Sequence, residues 1–400
     1  MSVKVRARPG RAPSPDPAPG LARTTPLTVI SQISHGWTPF VRAVLTVVPQ
    51  TPWGKSQELQ DLSFIQAARW AVIPGLPGER LRHDYLLFES NYNGPLDAYL
   101  EAFADILTTR MRLIWNSTPN FPNYPEDARR SRMCRLTRPI PGRDFVNFVG
   151  AASVEADHYY AALPHASNTE ILQALAVRDA LSGIADLGDS PDPDAVRAAW
   201  RSAVHALSCR PVPAKQPGGT DPDVSGGKYA LTLMSPIRDG RVSQLRQVLA
   251  DLGSGTHSPF ARMPGVHFAR WVVLDPPCRE PDRWRHPYLL TTTTSDTIAG
   301  AGDQAEAAIR ALYRGLGAAR ERVFEHCLGY PVQAGEDEFL WYLSPQRIPT
   351  SRFYCGYPEA DVATVRSALA QAIRLTDFAR AHALDAPEAL LPAFTEEFGR

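Results

Sequence analysis

The apolar and polar positions of this chain form a pattern that occurs twice, in the same order, about 200 residues apart. Residues 265–274 are almost entirely apolar apart from His267 and Arg270, and residues 65–73 form a similar earlier stretch with the same Arg-Trp pair. Short apolar runs rich in β-branched and aromatic residues predict strands that are buried on both faces. We therefore predict that two copies of one structural unit make up most of the chain.

Further matches between the two halves support a duplication. Residues 27–36 align with residues 231–240 without a gap, and both stretches have leucine, threonine, serine, isoleucine and glycine at equivalent positions. The later matches are Arg69-Trp70 with Arg270-Trp271, Arg82-His83 with Arg285-His286, Ile140-Pro141 with Ile348-Pro349, and Glu155-Ala156-Asp157 with Glu359-Ala360-Asp361. Because all of them follow in the same order, they indicate a long-period internal repeat with small loop insertions.

Each copy has the same predicted order of elements: strand, helix, two strands, helix and strand. In the first copy the strands are near 27–33, 65–73, 85–90 and 145–149, with helices near 38–48 and 96–107. In the second copy the strands are near 230–236, 265–274, 288–293 and 352–355, with helices near 241–252 and 309–323. This order is typical of the ferredoxin-like βαββαβ unit. We predict an α+β fold of two tandem ferredoxin-like units with antiparallel sheets, which could pack as a fused α/β barrel, plus extra helices.

The predicted domain organisation follows from the repeat and from the proline- and glycine-rich stretches around it. Its parts are a disordered, basic, proline-rich tail (1–26), a first ferredoxin-like repeat (27–165), a helical connector (166–210), a flexible linker (211–229), and a second repeat with C-terminal helices (230–400).

Composition narrows the class of protein and of partner. The chain is 44% hydrophobic and 21% charged, which is typical of a folded globular protein. Basic and acidic residues number 42 each, so no excess charge favours nucleic acid or an anionic membrane as a partner. No apolar run is long enough for a membrane span. A small-molecule ligand is the expected partner, and the oligomeric state is left open.

The cysteine pattern bears on the cellular compartment. The five cysteines are odd in number and widely spaced, and none belongs to a C-x-x-C motif. Such a pattern argues against a disulfide framework and against a thiolate zinc site. We therefore expect a cytoplasmic protein.

With its two βαββαβ units, the chain resembles the dimeric α/β-barrel superfamily in its fused, duplicated form. That superfamily includes dye-decolourising peroxidases, chlorite dismutases and small antibiotic-type monooxygenases. The resemblance is one of topology and covers residues 27–165 and 230–375. It implies a pocket between or beside the two sheets, an oxidoreductase activity, and haem as the candidate cofactor with His326 as its candidate ligand. The peroxidase motif Gly-x-x-Asp-Gly is absent from this sequence.

His267 is the residue that breaks the symmetry of the repeat, because Gln66 occupies the equivalent position. Side chains alternate between the faces of a strand, so His267 and Trp271 share one face and Arg270 lies on the other, unless a bulge intervenes. An imidazole can act as a general base or a metal ligand, although a core histidine bonded to a carbonyl is the alternative. Asp296 could orient such a base, so His267 and Asp296 are candidate catalytic residues.

Arg69 and Arg270 are polar positions inside otherwise apolar strands, and both copies have them. A buried guanidinium needs a partner, so one alternative is a structural charge pair with Glu89, Asp105 or Asp144, or a contact with a backbone end. The other alternative is recognition of a carboxylate or phosphate ligand. The candidate substrate-binding residues are Arg69, Arg270, Trp271 and the hydroxyl-bearing Thr292.

Two functional hypotheses remain at this point. The first is a small-molecule-binding protein that acts as an oxidoreductase of the dimeric α/β-barrel type, with a pocket between or beside the repeats. The alternative is a non-catalytic module that binds a ligand or a protein with the same fold. Asymmetry between the copies favours the first hypothesis, and the absence of a catalytic motif favours the second.

Overall fold

Two antiparallel sheets and twelve α-helices make up the part of the chain that the structure describes, which confirms the predicted α+β class. The structure is a computed structural model, and it describes residues 24–46, 63–74, 79, 83–122, 138–185, 193–208, 221–275, 284–382 and 387–398. The predicted tail up to residue 23 and the predicted linker from 211 to 220 lie outside the described residues. The first strand begins at Thr24, slightly earlier than the sequence predicts.

The two sheets contain four and five strands. The first sheet has the order β1 (Thr24–Gln32), β3 (Tyr85–Asn93), β2 (Ile65–Ile73) and β9 (Thr350–Cys355). The second sheet has the order β4 (His158–Ala161), β7 (Val266–Leu274), β8 (Tyr288–Asp296), β6 (Lys228–Pro236) and β5 (Val224–Ser225). All strand pairs among the described residues are antiparallel, as the sequence predicts.

Helices lie between the strands and after the second sheet. In the first half they are α1 (Thr38–Thr46), α2 (Leu96–Ile106), α3 (Thr108–Trp115), α4 (Gly142–Ala152), α5 (Asn168–Ala185) and α6 (Pro193–Ser208). In the second half they are α7 (Val242–Asp251), α8 (Gln304–Leu316), α9 (Ala318–Phe324), α10 (Glu336–Leu343), α11 (Val362–Ala381) and α12 (Pro387–Phe398). None of the described helices is both long and apolar enough to cross a membrane.

The predicted strand at 145–149 is wrong, because this segment belongs to helix α4. Phe145 and Val149 are four residues apart and are both buried on the inner side of that helix. Their apolar run fits a strand and a helix equally well, since periodicity alone does not separate short apolar segments. In the helix, the ring of Phe145 packs against the rings of Trp115 and Phe121.

The closing strand of each half lies in the sheet of the other half. Strand β9 comes from the second half but pairs with β2 of the first sheet, where Phe353 lies opposite Arg69. Strand β4 comes from the first half but pairs with β7 of the second sheet, where Tyr159 lies opposite Arg270. Neither sheet is therefore built from one half of the chain alone.

Tandem ferredoxin-like units are consequently not confirmed. The adjacent strands β1, β3 and β2 and their counterparts β6, β8 and β7 follow the predicted order within each half. The fourth strand of each sheet, however, comes from the other half and lies beside β2 or β7. Sequence periodicity predicts that a strand exists, but it does not specify which sheet edge pairs with it.

The two faces of each sheet contact different layers of the molecule. On the outer faces, Trp70 and Trp271 pack into separate clusters with the helices. On the inner faces the sheets contact each other through two apolar clusters, one containing Ala71 and Val272 and the other containing Ala67, Phe268 and Phe353. We call the region between the inner faces the inter-sheet space. Strand parity correctly predicts that the arginine and the tryptophan of each Arg-Trp pair lie on opposite faces.

Candidate functional site

Arg69 reaches from the first sheet across the inter-sheet space to the second sheet. Its Nη1 donates to the carbonyl of Leu231 at 2.7 Å and to Oγ1 of Thr232 at 3.3 Å. Its Nη2 donates to the carbonyl of Thr293 at 2.8 Å and to Oγ1 of Thr294 at 2.6 Å. Only 4% of the arginine side chain is exposed, so it connects two sheets inside the protein.

Arg270 makes the same connection in the opposite direction. Its Nη1 donates to the carbonyl of Leu27 and to Oγ1 of Thr28, both at 2.9 Å. Its Nη2 donates to the carbonyl of Ser90 at 3.3 Å and to Oδ1 of Asn91 at 2.6 Å. These acceptors are the sequence counterparts of those that Arg69 uses, so the centre of the molecule has approximate two-fold symmetry.

Glu89 lies between the two arginines and breaks this symmetry. Its Oε2 is 3.4 Å from Nε of Arg69, and its Oε1 is 3.8 Å from Nε of Arg270. Thr292, which occupies the equivalent position in the second half, donates to Oε1 of Glu89 at 3.2 Å. Burial lowers the pKa of Arg69, Glu89 counteracts this effect, and Arg270 adds to it. One buried carboxylate thus neutralises two buried guanidinium groups only in part.

Trp271 does not share a space with Arg270 or Thr292. Its ring packs on the outer face of the second sheet, 4.5 Å from the ring of Phe260 and 5.5 Å from that of His158. The structure therefore brings Arg69, Arg270 and Thr292 together but separates Trp271 from them. Of the three predicted acidic partners of the arginines, Glu89 is the one with which they pair.

His267 sits at a β-bulge near the start of β7. The pairing of β7 with β8 shifts register between Val266 and Phe268, so His267 is the extra residue. A bulge re-aims the side chains on either side of it. Val266 accordingly joins the outer cluster with Trp271, and the His267 ring lies 5.6 Å from that of Tyr357 at one end of the inter-sheet space. The bulge that the prediction from strand parity allows for is therefore present, and His267 does not share a face with Trp271.

His267, Asp296 and Lys228 form a buried polar cluster at this end of the second sheet, and we call it the second-half triad. Nε2 of His267 is 2.9 Å from Oδ1 of Asp296, and Nζ of Lys228 is 3.0 Å from the same oxygen. Exposure is 2% for His267, 1% for Lys228 and 21% for Asp296. The two candidate catalytic residues are therefore in direct contact, and a lysine that sequence reasoning missed joins them.

The protonation states of the triad follow from burial and from its charges. Burial lowers the pKa of His267, and the hydrogen bond to Asp296 offsets this only in part. Burial alone would raise the pKa of Asp296, but His267 and Lys228 lower it. At neutral pH the carboxylate is ionised and the imidazole is neutral. Because an ionised carboxylate only accepts hydrogen bonds, the proton of His267 is on Nε2 and Nδ1 has a lone pair.

Nδ1 of His267 is a buried acceptor with no hydrogen-bond partner among the described residues. Most buried polar side-chain atoms in proteins have a partner, so an exception at a histidine calls for an explanation. The acidic side chain fixes the tautomer, and the bulge fixes the position of the ring. The arrangement is that of an oriented base.

The first half has an uncharged trio at the equivalent positions. Gln66 also sits at a bulge, and its Nε2 donates to Oγ1 of Thr24 at 3.0 Å, to Oδ1 of Asn93 at 3.0 Å and to the carbonyl of Ala166 at 2.8 Å. Gln66, Asn93 and Thr24 correspond to His267, Asp296 and Lys228 in the sequence. Of these two matching sites, one therefore has neutral amides and a hydroxyl, and the other has titratable groups.

The segment that follows β9 covers the second-half triad. The carbonyl of Pro358 accepts from Nζ of Lys228 at 3.2 Å and from the backbone nitrogen of Gly227 at 3.0 Å. Gly226 has a φ of 57°, and a Cβ there would lie 2.8 Å from Cβ of Pro358. Glycine is therefore required at this close approach. A ligand of His267 would have to pass this segment or enter beside the partly exposed Asp296.

His326 lies away from the inter-sheet space, just beyond helix α9 on the outer side of the second sheet. The neighbouring Cys327 bridges to Ile237 and belongs to the outer cluster. Nε2 of His326 is 3.7 Å from Oε1 of Glu325, and burial lowers the pKa of His326. The structure therefore does not bring His326, the haem ligand that the resemblance implies, together with Arg69, Arg270 and Thr292. Within the described residues, no group of three or more His, Cys, Asp or Glu could hold a metal ion.

Lys228 and Tyr357 are the site residues that sequence reasoning missed. Lys228 follows a glycine pair at the start of an apolar strand, and its counterpart Thr24 lies just before the aligned segments. An alignment extended by three residues would have shown that Lys228 is a charged residue at the start of an otherwise apolar strand, where the first half has Thr24. Tyr357 gives no comparable signal, because its contact with His267 depends on the exchange of the closing strands.

Comparisons with known proteins add little to this geometry. The chain matches no known protein family and no curated protein. Among solved structures it is similar to the crystal structure of a “putative monooxygenase” from Fusobacterium nucleatum, with a TM-score of 0.30 and 6% identity. That similarity covers 85% of this chain and 97% of the other. Because the TM-score is so low, it carries no argument about fold or activity.

Proposed function

We propose that the protein binds a small molecule at the end of the inter-sheet space that holds the second-half triad, and that His267 accepts a proton from this molecule. The observation that carries the proposal is the unpaired Nδ1 of His267, a buried base with a fixed tautomer. A neutral imidazole with a free lone pair is suited to general base catalysis near neutral pH. The proposal therefore assigns catalytic roles to His267 and Asp296.

The other two members of the triad support this role of His267. Asp296 accepts the Nε2 proton and would stabilise the imidazolium that forms when Nδ1 takes up a second proton, as the carboxylate does in a Ser-His-Asp triad. Lys228 keeps that carboxylate ionised. After proton transfer the triad would carry one net positive charge, which favours a ligand that becomes an anion when it loses its proton.

Arg69 and Arg270 receive a structural role in this proposal instead of substrate binding. Both terminal nitrogens of each arginine already donate to protein oxygens of the opposite sheet. Thr292 donates to Glu89, and Trp271 packs on the helical side. A ligand would have to displace these bonds, and leaving buried donors unpaired is costly.

A non-catalytic module is the second candidate function, and burial of the triad favours it. His267 and Lys228 are almost completely buried, and the segment around Pro358 covers them. A buried polar network of this kind can serve to hold a loop in one conformation. In that case the triad would stabilise the segment that follows β9 and would not contact a ligand.

An oxidoreductase activity and a cytoplasmic location are further parts of the proposed function. An oxidoreductase activity of the peroxidase or monooxygenase kind rests on the resemblance of the repeated elements. An absorbance scan of the protein with added haemin tests whether it binds haem, and the absence of a Soret band would show that it does not. We retain the cytoplasm as the proposed location, because the five cysteines are odd in number, widely spaced and never arranged as C-x-x-C.

A ligand screen with two matched variants tests the proposed function. A library of fluorinated weak acids and their neutral analogues is screened by ligand-observed fluorine NMR against the wild type, His267→Gln and His326→Gln. His267→Gln introduces the residue of the first half, and the control, His326→Gln, replaces another buried histidine whose ring nitrogens have no hydrogen-bond partner among the described residues. We expect weak acids that bind the wild type and the control but not His267→Gln. If every binder is retained by His267→Gln, the non-catalytic alternative is correct.

A further inference from the structure

Arg352 is a partly buried arginine on the outer face of the first sheet. It lies in β9, where Phe353 belongs to an inner cluster and Tyr354 to the outer one. Because side chains alternate along a strand, Arg352 shares the outer, helical side with Tyr354. Its guanidinium has neither a hydrogen bond nor an ion pair among the described residues. An arginine that leaves water normally has a partner, so this one calls for an explanation.

The electrostatic surroundings of Arg352 contain a second positive charge and no negative one. Burial lowers the pKa of Arg352 to about 10, and the charge of Arg110 on α3 contributes to this. No carboxylate of the described residues offsets the effect, whereas Glu89 does so for Arg69. Helix α1 contacts both β9 and α3, so the two arginines belong to neighbouring parts of one layer. An anion that reached this place would stabilise the charged form of Arg352.

The side chains next to Arg352 add donors to the outer face and no acceptor. Trp70 lies directly opposite Arg352 in the pairing of β2 with β9. Nε1 of Trp70 and the hydroxyl of Tyr354 are buried without a hydrogen-bond partner among the described residues. An indole N–H can only donate, and burial raises the pKa of Tyr354, so the phenol keeps its proton. The described residues thus supply no acceptor here, and Arg352 is the member of this group that retains exposed surface.

The matching position in the second sheet has a side chain with a partner. His158 lies opposite Trp271 in the pairing of β4 with β7, as Arg352 lies opposite Trp70. Nε2 of His158 is 2.9 Å from Oγ of Ser258. The two closing strands therefore have a hydrogen-bonded histidine at one position and an unpaired arginine at its counterpart.

We propose that Arg352 binds the phosphate or carboxylate group of a small molecule at the outer face of the first sheet. Both groups are oxyanions that accept two parallel hydrogen bonds from one guanidinium, and such charge-assisted pairs are strong. Arg352 and Arg110 are both partly exposed, so an anion can approach them from solvent. The anion would offset the repulsion between the two arginines. This site is separate from His267, which lies in the other sheet and faces the inter-sheet space.

Fluorine NMR with two simple anions tests the site. Fluorophosphate and trifluoroacetate are titrated separately into the full chain in chloride buffer of constant ionic strength, and the broadening of each fluorine signal gives a dissociation constant. We expect a value below about 10 mM for at least one of them, which is tighter than one charge-assisted hydrogen bond would give by itself. Binding of fluorophosphate alone would identify a phosphate ligand, and binding of trifluoroacetate alone would identify a carboxylate ligand.

Two variants of Arg352 and one control locate the bound anion. Arg352→Met should raise the dissociation constant by about tenfold or more, because it removes the donors and keeps an unbranched apolar side chain. Arg352→Lys keeps the charge without the planar fork, so its loss should be smaller. The control is Arg380→Met on α11, which removes the same charge from a side chain that is 77% exposed and should leave the dissociation constant unchanged.

The thermal midpoint of unfolding gives a second readout. In buffer without oxyanions, Arg352→Met should shift the midpoint upward, because it removes an unpaired, partly buried charge. This direction is diagnostic, since most substitutions lower stability. The anion that binds, at tenfold its dissociation constant, should raise the midpoint of the wild type by about 2 °C and leave that of Arg352→Met unchanged.

Three results would overturn the proposal. The first is a wild type that binds neither anion with a dissociation constant below about 10 mM. The second is an affinity that Arg352→Met leaves unchanged, because the anion would then bind elsewhere. The third is a midpoint of Arg352→Met below those of the wild type and Arg352→Lys in oxyanion-free buffer. That result would mean that the charge of Arg352 is already stabilised within the protein.

Discussion

The centre and one end of the inter-sheet space differ in how closely the two halves of the chain agree. At the centre, Arg69 and Arg270 use equivalent acceptors in opposite sheets. At the end, Gln66 in the first half corresponds to His267 in the second, and neutral partners correspond to charged ones. The arginines that connect the sheets are retained in both halves, whereas the titratable groups of the triad have neutral counterparts in the first half.

Replacing either central arginine should give the largest effect. Arg69→Met or Arg270→Met should lower the free energy of unfolding by about 3–5 kcal/mol, because each leaves buried acceptors and part of the Glu89 charge without a partner. The two variants should lose similar amounts, since their contacts are equivalent. Urea denaturation followed by circular dichroism measures both.

The control for this comparison is an arginine on the surface. Arg374 pairs with Glu397 where both are substantially exposed, and Arg374→Met should change the free energy of unfolding by less than about 1 kcal/mol. If Arg69→Met or Arg270→Met costs no more than this control, the central arginines do not hold the sheets together, and a ligand-binding role for them becomes the better explanation.

Replacing all three residues of the triad together should lower the free energy of unfolding far less than removing the charge of Asp296 alone. Asp296→Asn alone should lower the free energy of unfolding by about 3 kcal/mol, because it leaves the ammonium of Lys228 buried without a carboxylate. The triple variant His267→Gln, Asp296→Asn and Lys228→Thr recreates the uncharged trio of the first half and should stay within about 1 kcal/mol of the wild type.

Equilibrium denaturation of the single and triple variants measures this coupling. A triple variant that loses as much stability as the single variants predict by addition would show that the triad and the uncharged trio are not interchangeable. Such a result would mean that the second half needs the charges of the triad for its stability.

The pH dependence of stability should give the smallest effect. His267 is buried in its neutral form, so its folded pKa lies below the unfolded value of about 6.5. The unfolded chain therefore binds the proton more readily, and stability should fall as the pH drops from about 6.5 toward the folded pKa, by at most about 1.4 kcal/mol per pH unit for this proton. His267→Gln should remove this loss, and His326→Gln, whose pKa is also lowered, should remove its own share.

Chemical denaturation between about pH 7 and pH 5 measures these slopes. Identical slopes for the wild type and His267→Gln would mean that His267 has the same proton affinity in both states. That outcome would contradict a buried neutral imidazole and with it the oriented base.

Much of the fold could be predicted from local patterns in the sequence. The strands around Arg69 and Arg270, their partner strands and the helices after them are where periodicity and apolar runs place them. Segment 145–149 was predicted wrongly as a strand, because a short apolar run is compatible with both structures and its contacts with Phe121 and Trp115 lie far away in the sequence.

The candidate site was predictable in part. His267 and Asp296 were identified from the asymmetry of the repeat, and the structure brings them within hydrogen-bond distance. The contact depends on a bulge, and a sequence without glycine at that position gives little sign of one. Lys228 was missed because it precedes the aligned segments, and His326 and Trp271 lie apart from the residues with which they were grouped.

The sequence by itself determined the matching positions of the two halves, most of their strands and helices, and the opposite faces of each Arg-Trp pair, because periodicity and covalent geometry act over a few residues. Only the tertiary structure decided that β4 and β9 exchange sheets, that bulges turn Gln66 and His267 toward one end, and that the segment around Pro358 covers the triad. Pairing between distant strands depends on the edges and faces that compete for them, and an apolar pattern does not specify its partner.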